Sequence, residues 1–191
     1  MMKTFLKLTL SFLVAALLIV IISPYVDKYK EHKKYDFTLD TIDGKISKDD
    51  FKGKVLTIYF GYTSCPDICP TSLSSLAFAL KSFDKKEIAD FRGLFISVDP
   101  SRDSLENLEE YAKYFHPNFI GATSTKENID DITKRYGTFY KKVELEGSAM
   151  NYSVSHTSFI YIFDKKGDFV TKIDHFSDPK KIQERLEKVF Q

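Results

Sequence analysis

Two thiols stand four residues apart in Cys65-Pro-Asp-Ile-Cys69, and they are the only cysteines of the chain. The thiolate is the reactive and metal-binding form of this side chain, and a helix N-terminus favours it. Pro70 suits the first turn of a helix that runs on through Leu73, Leu76, Ala77 and Leu80, so the pair sits where a strand hands over to that helix. In regular helix, side chains four apart share a face at about 5–6 Å between Cβ atoms, wider than the roughly 3.8 Å of a relaxed disulfide. A looped segment closes that gap. The pair therefore reads either as an oxidisable dithiol or as a clamp for a soft metal ion, Cu(I) or Zn(II). A merely stabilising disulfide fits poorly, because so short a loop removes little entropy from the unfolded chain.

A third ligand sharpens the choice, and there are four histidines. His32 lies in a charged stretch near the N-terminus and His175 follows the last strand, where it is expected to be exposed. His116 ends a helix beside Pro117, where it would answer the helix dipole. His156, in Val154-Ser-His-Thr-Ser158, stands immediately before a strand. If strands 55–60 and 158–164 are antiparallel neighbours, the end of the first lies beside the start of the second. Cys65, Cys69 and His156 then converge from distant parts of the sequence. Disulfide-exchanging thioredoxins carry a cis-proline in the loop that faces the thiols, yet no proline occurs between Pro117 and Pro179, and a histidine occupies that loop. Three such ligands satisfy copper, whereas a structural zinc site ordinarily takes four.

The elements that must hold these residues follow from hydrophobic patterning. Phe37-Thr-Leu-Asp-Thr-Ile-Asp-Gly44 alternates and meets an Asp-Gly turn, which predicts a short hairpin. Val55–Phe60 and Phe91–Val98 are continuous apolar runs suited to buried strands. Helices are expected over Ser104–Phe115 and Ile129–Tyr136, with a short strand Phe119–Ala122 between them. This β-α-β-α-β-α order implies parallel strands covered by helices on both faces. The last third differs: Ser158–Asp164, Lys-Lys-Gly and Asp168–Ile173 read as a hairpin, followed by a helix from Asp178, its expected N-cap, to Phe190. A βαβ half followed by a ββα half is the plan of the thioredoxin-like α/β fold.

Residues 1–26 stand apart from that plan. After Lys3 and Lys7, the uncharged segment Leu8–Ile22 counts 15 residues, or 19 when extended to Val26. About 20 residues span the hydrocarbon layer of a bilayer. No small-x-small cleavage site stands near Ile21–Pro24, and no cysteine is present there for lipid attachment, so an uncleaved single-pass anchor is expected. Residues 27–36 read as a linker and 37–191 as the soluble domain. The 191 residues carry 28 Lys and Arg against 27 Asp and Glu, so no basic surplus argues for a nucleic-acid partner.

Three blocks carry a resemblance: Phe60-Gly-Tyr-Thr-Ser-Cys-Pro-Asp-Ile-Cys-Pro70, Phe95-Ile-Ser-Val-Asp-Pro-Ser-Arg-Asp103, and Tyr152-Ser-Val-Ser-His-Thr157 with Ile160-Tyr-Ile-Phe-Asp164. In order and spacing they resemble the Sco/SenC family over residues 36–190. The resemblance implies a membrane-anchored thioredoxin-like domain that binds copper and serves assembly of the CuA centre of cytochrome c oxidase subunit II. It implies Cys65, Cys69 and His156 as copper ligands, the first two also able to form a reversible disulfide. It further implies a single-pass protein of the inner membrane whose domain faces the periplasm or another extracytoplasmic space. Asp99 matches a family position that is often acidic near the metal, and a turn carboxylate explains it equally well. Family members often read Val-Asp-His before the histidine; Ser155 stands here instead, and a carboxylate that could orient His156 is lost. Met150 is expected to pack on aromatics rather than ligate.

Two enzymes compete with a metallochaperone. A thiol-disulfide reductase acting on subunit II or another secreted protein needs Cys65 and Cys69 but has little use for His156. A peroxide-scavenging thiol protein calls for an arginine beside the attacking sulfur, and nothing in the sequence brings Arg92, Arg102 or Arg135 to the pair.

Overall fold

The computed structural model describes residues 2–145, 147, 151–174 and 178–190, the side chains of residues 2–11, 14 and 15 excepted. The chain divides into two units between Lys34 and Tyr35. The first is one helix, α1 (Met2–Lys34), with Pro24 inside it. Helix formers such as Lys28, Lys30, Glu31 and Lys33 carry it through residues expected to be a linker. Among the described residues no helix is long and apolar enough to cross a membrane, and the expected anchor over residues 8–26 falls partly outside the described side chains.

The second unit begins with the buried aromatics Tyr35 and Phe37. The Asp-Gly signal is realised as a hairpin, β1 (Thr38–Thr41) and β2 (Gly44–Ser47), with Gly44 at φ +119°. A 3₁₀ turn (Lys48–Phe51) leads into β3 (Val55–Gly61), every residue of which is buried. Then come α2 (Ile68–Leu80), a short α3 (Lys85–Ala89), β4 (Phe91–Ser97), α4 (Leu105–Phe115), β5 (Phe119–Ala122) and α5 (Lys126–Tyr136). The Ser104 and Thr125 hydroxyls cap α4 and α5 at their N-termini, and Gly137 in the left-handed region ends α5. The chain finishes with β6 (Tyr140–Glu144), β7 (Tyr152–His156), β8 (Phe159–Phe163), β9 (Phe169–Asp174) and α6 (Pro179–Phe190).

Five strands form one sheet in the order β5-β4-β3-β8-β9. β3 runs parallel to β4 and antiparallel to β8, the neighbour relation on which convergence of the ligands depended. Alternation along β3 feeds two cores. Leu56, Ile58 and Phe60 pack with Leu39, Ile129, Ile132 and Tyr136 on one face. Val55 and Tyr59 pack with Cys69, Leu73 and Leu76 of α2, Leu108 of α4, and Ile182 and Leu186 of α6 on the other. This is the thioredoxin-like arrangement that the patterning predicts.

Two elements are additions to it. The capping box of Asp84 and Glu87 starts α3, a five-residue helix too short for hydrophobic periodicity to reveal. Among the described residues β6 and β7 pair only with each other, as an antiparallel ribbon outside the main sheet, with Tyr140 opposite His156. β6 is largely exposed, so neither apolar alternation nor a tight turn marked it.

Candidate metal centre

The cysteines lie at the mouth of the sheet, where β3 passes into α2. The helix begins at Ile68 and not at Pro70, so Cys69 lies in its first turn and Cys65 in the preceding loop. The Asp67 side chain makes no capping bond to the helix. Instead the Cys65 sulfur accepts the Cys69 N–H at 3.4 Å and stands in for the cap. Cys65 is half-buried while Cys69 is fully enclosed, and neither is bridged.

Gly61 makes room for that enclosed sulfur. A Cβ there would lie 2.7 Å from Cys69 Sγ and 2.8 Å from the Phe95 ring. A side chain at the end of β3 and the thiol of Cys69 cannot occupy the same space.

His156 ends β7 and reaches the pair from the opposite side, its Nε2 3.4 Å from Cys69 Sγ. The ligand atoms of Cys65, Cys69 and His156 all lie within 4.8 Å of one another, the one such cluster among the described residues. Two sulfurs and an imidazole nitrogen at this spacing fit a soft or borderline ion of the copper or zinc type, and among the described residues no carboxylate completes a fourth position.

Other contacts orient the imidazole. His156 Nδ1 lies 3.3 Å from both the Thr157 carbonyl and the Ser158 hydroxyl, which leaves Nε2 turned toward Cys69. Tyr59 and Tyr62 meet its ring edge-on at 6.3 and 5.8 Å between centroids. The carboxylate missing at position 155 is thus replaced by a serine two residues beyond the histidine. In extended chain residues two apart share a face, and that spacing was the available signal for Ser158.

The two thiols differ in acidity. The hydrogen bond from Cys69 holds Cys65 well below the usual thiol range; partial burial opposes this, while His156 and the backbone N–H groups of Cys69 and Asp67 add to it. Burial raises Cys69 well above that range, and the neighbouring Cys65 reinforces the shift. The two environments thus push the thiols apart in acidity, Cys65 toward the thiolate and Cys69 toward the thiol.

Several expected residues lie elsewhere. Asp99 contributes no ligand: its side chain is wholly buried and bonded to Ser101, Arg102 and Tyr152. His116 does not act as a cation at a helix end. Burial lowers its pKa with help from Lys113, and its Nδ1 accepts the Asn118 N–H as a neutral ring. His32 lies in α1, the first unit. His175 and Met150 fall outside the described residues. Of the three arginines, Arg102 does approach the cysteine loop, its guanidinium 5.5 Å from the Tyr62 ring, but Asp99 and Tyr152 engage it. Arg92 bonds to the carbonyls of Ala89 and Phe91, and Arg135 to Asp131 and the Asp36 carbonyl.

Known proteins are similar to this chain in sequence and fold. An SCO2-like protein of Rickettsia conorii is 40% identical over 164 residues, which are 84% of this chain and 80% of its own. The copper-bound crystal structure of Arabidopsis thaliana ScoI is similar with a TM-score of 0.74 and 35% identity, covering 80% of this chain and 94% of that one. Copper-bound yeast Sco1 gives a TM-score of 0.71 at 33% identity, over 81% of this chain and 86% of that one. A family model described as SCO1/SenC matches residues 26–191, and with the fold and the convergent Cys-Cys-His cluster it assigns this chain to the SCO1/SenC family.

Proposed function

We propose that this protein is a copper metallochaperone that holds copper through Cys65, Cys69 and His156 and passes it by ligand exchange to the CuA centre of cytochrome c oxidase subunit II. The observation that carries this reading is the meeting of two sulfurs and one imidazole nitrogen within 4.8 Å, with 87 residues separating Cys69 from His156. Copper-bound relatives of the same fold support the choice of metal. The apolar stretch over residues 8–26 is read as a single-pass anchor, with the domain on the extracytoplasmic side of the inner membrane. An oxidising compartment makes the dithiol redox-sensitive, which links copper loading to its reduction.

The chain's own residues divide the work. Cys65 supplies a thiolate at the half-open face, Cys69 a buried sulfur that must lose its proton as the ion enters, and His156 a neutral nitrogen. Such entry releases protons, and loading weakens as the pH falls.

A second reading, thiol-disulfide reductase, is favoured by the low-pKa, half-exposed Cys65 beside a second unbridged thiol. Titration of the reduced full chain with Cu(I) and Cu(II), beside His156→Ala and Cys65→Ser, separates the two. Stoichiometric binding with a sulfur-to-copper charge-transfer band, weakened in His156→Ala and lost in Cys65→Ser, supports the chaperone. Weak binding that is indifferent to His156 supports the reductase. Full affinity in Cys65→Ser overturns the ligand assignment.

A further inference from the structure

The two halves of the ligand set come from chain segments that do not belong to one strand pair, since the cysteines follow β3 and His156 ends the separate β6–β7 ribbon. The antiparallel pairing of β3 with β8 brings these segments near each other, and the turn after β4, Ser97-Val-Asp-Pro-Ser-Arg-Asp103, bonds to both.

One end of this turn grips the cysteine loop. Asp103, 3% exposed, accepts the Thr63 hydroxyl at 2.6 Å and the Thr63 N–H at 3.1 Å, two residues before Cys65. The buried Ser97 hydroxyl donates to the same carboxylate at 2.5 Å and accepts the Asp99 N–H at 3.0 Å.

The other end grips the histidine ribbon. The Tyr152 hydroxyl, at the start of β7, lies 3.0 Å from each Asp99 carboxylate oxygen. Lys142 of β6 approaches the same carboxylate at 3.3 Å and the Tyr152 hydroxyl at 3.0 Å. Arg102 ties the arms together: Nε donates to Asp99 at 2.5 Å, Nη1 donates to the Tyr152 carbonyl at 3.0 Å, and the guanidinium stacks 3.8 Å from the Tyr152 ring. The same guanidinium faces Tyr62 in the cysteine loop. Hydrogen bonds to a buried carboxylate are strong, directional and costly to leave half-made.

We propose that the Ser97–Asp103 turn is a two-armed clamp that sets the separation of the copper ligands, its Asp103 arm positioning the cysteine loop through Thr63 and its Asp99–Arg102 arm positioning His156 through Tyr152. The clamp rests on the copper reading for its purpose, and it makes Asp99, Arg102, Asp103, Thr63 and Tyr152 positioning residues rather than ligands. The arms are separable. Loosening the Tyr152 arm displaces the nitrogen donor alone, whereas loosening the Thr63 arm alters the geometry of the dithiol alone.

The test uses the reduced full chain as wild type, Tyr152→Phe, Thr63→Val and His156→Ala. Cu(I) affinity is measured by competition with a chromophoric chelator and the Cu(II) charge-transfer band by absorption. The reduction potential of the metal-free Cys65/Cys69 couple is measured in glutathione buffers, and a thermal melt records folding. Tyr152→Phe should weaken Cu(I) binding about tenfold, the lower end for groups that orient ligands from outside the coordination sphere. Its Cu(II) band should move toward that of His156→Ala, with the dithiol potential unchanged. Thr63→Val should shift the potential and keep the wild-type band. Folded variants in which band and potential both stay at wild-type values overturn the clamp. So do variants in which both change together in proportion to lost stability. If Tyr152→Phe does not fold, Lys142→Met opens the same arm from a half-exposed position, and an unaltered band there overturns the clamp equally. Failure of wild type to bind copper sinks the chaperone reading instead, and the potential of Thr63→Val still decides the cysteine arm.

Discussion

At the scale of single residues, the site depends on how little space surrounds Cys69. Its sulfur occupies the volume that a Cβ on Gly61 would need, with Phe95 and Tyr59 closing the remaining sides. Gly61→Ala is therefore expected to destabilise the domain by about 1–3 kcal/mol, the usual cost of overpacking a core, and to weaken metal binding by moving the sulfur. Chemical denaturation with a parallel Cu(I) competition measures both, and unchanged affinity would show that the ligands re-form around the added methyl. Asp99 makes a prediction of a different kind. Burial opposes its ionisation, yet hydrogen bonds from Ser101, Arg102 and Tyr152 hold its pKa below the ordinary carboxylate range. A carboxylate depressed on folding contributes stability that is complete above its unfolded pKa and is lost as pH falls through the lower folded value. Asp99→Asn should thus be less stable than wild type at neutral pH, with the deficit shrinking below about pH 3.8. Denaturation midpoints between pH 2 and 7 test this, and a deficit independent of pH would assign the loss to geometry rather than charge.

At the scale of elements, α4 approaches β5 closely at Gly121. A Cβ on Gly121 would lie 2.2 Å from the Leu108 carbonyl oxygen, a backbone atom that cannot rotate away. Gly121→Ala should cost more than Gly61→Ala, with about 3 kcal/mol as a reasonable lower figure for a backbone that must shift. Because α4 begins immediately beyond the clamp turn, the same variant should also lower copper affinity. A melting midpoint equal to wild type would show that the helix slides freely on the sheet. The ribbon of β6 and β7 is the other decisive element. It presents His156 to the cysteines and meets the clamp through Tyr152 and Lys142, although it shares no ladder with the central sheet.

At the scale of the whole molecule, the boundary between the two units falls at Lys34/Tyr35. Tyr35 and Phe37 are 5% and 3% exposed and belong to the core shared with Phe163 and Tyr136. A fragment starting at residue 35 should fold and bind copper like the full chain, whereas one starting at residue 38 loses both rings. Removing a buried aromatic side chain costs about 3–5 kcal/mol, so the shorter fragment should melt far lower or not fold. Equal melting midpoints for the two fragments would place both rings outside the energetics of the domain.

Much of this was determined by local sequence. Continuous apolar runs marked the central strands, since strands buried on both faces need no alternation, and Gly137 marked the end of α5 by its capping chemistry, whereas the Thr125 cap that starts α5 at Lys126, three residues before the expected Ile129, went unread. The two cysteines at a strand-to-helix junction declared a thiol site, and His156 became its partner once the order of elements placed the last strand beside the first. Contacts between distant segments lay beyond that reading. The ribbon escaped because an exposed strand carries little hydrophobic pattern, and the helical start at Ile68 escaped because the Cys65 sulfur, rather than a conventional side-chain cap, satisfies the first turn. Asp99 could be read from sequence as a near-metal acid or as a turn residue. The fold decided for the turn, because a buried carboxylate is stable only where donors surround it, and here Arg102, Ser101 and Tyr152 supply them from one turn and a strand some fifty residues away.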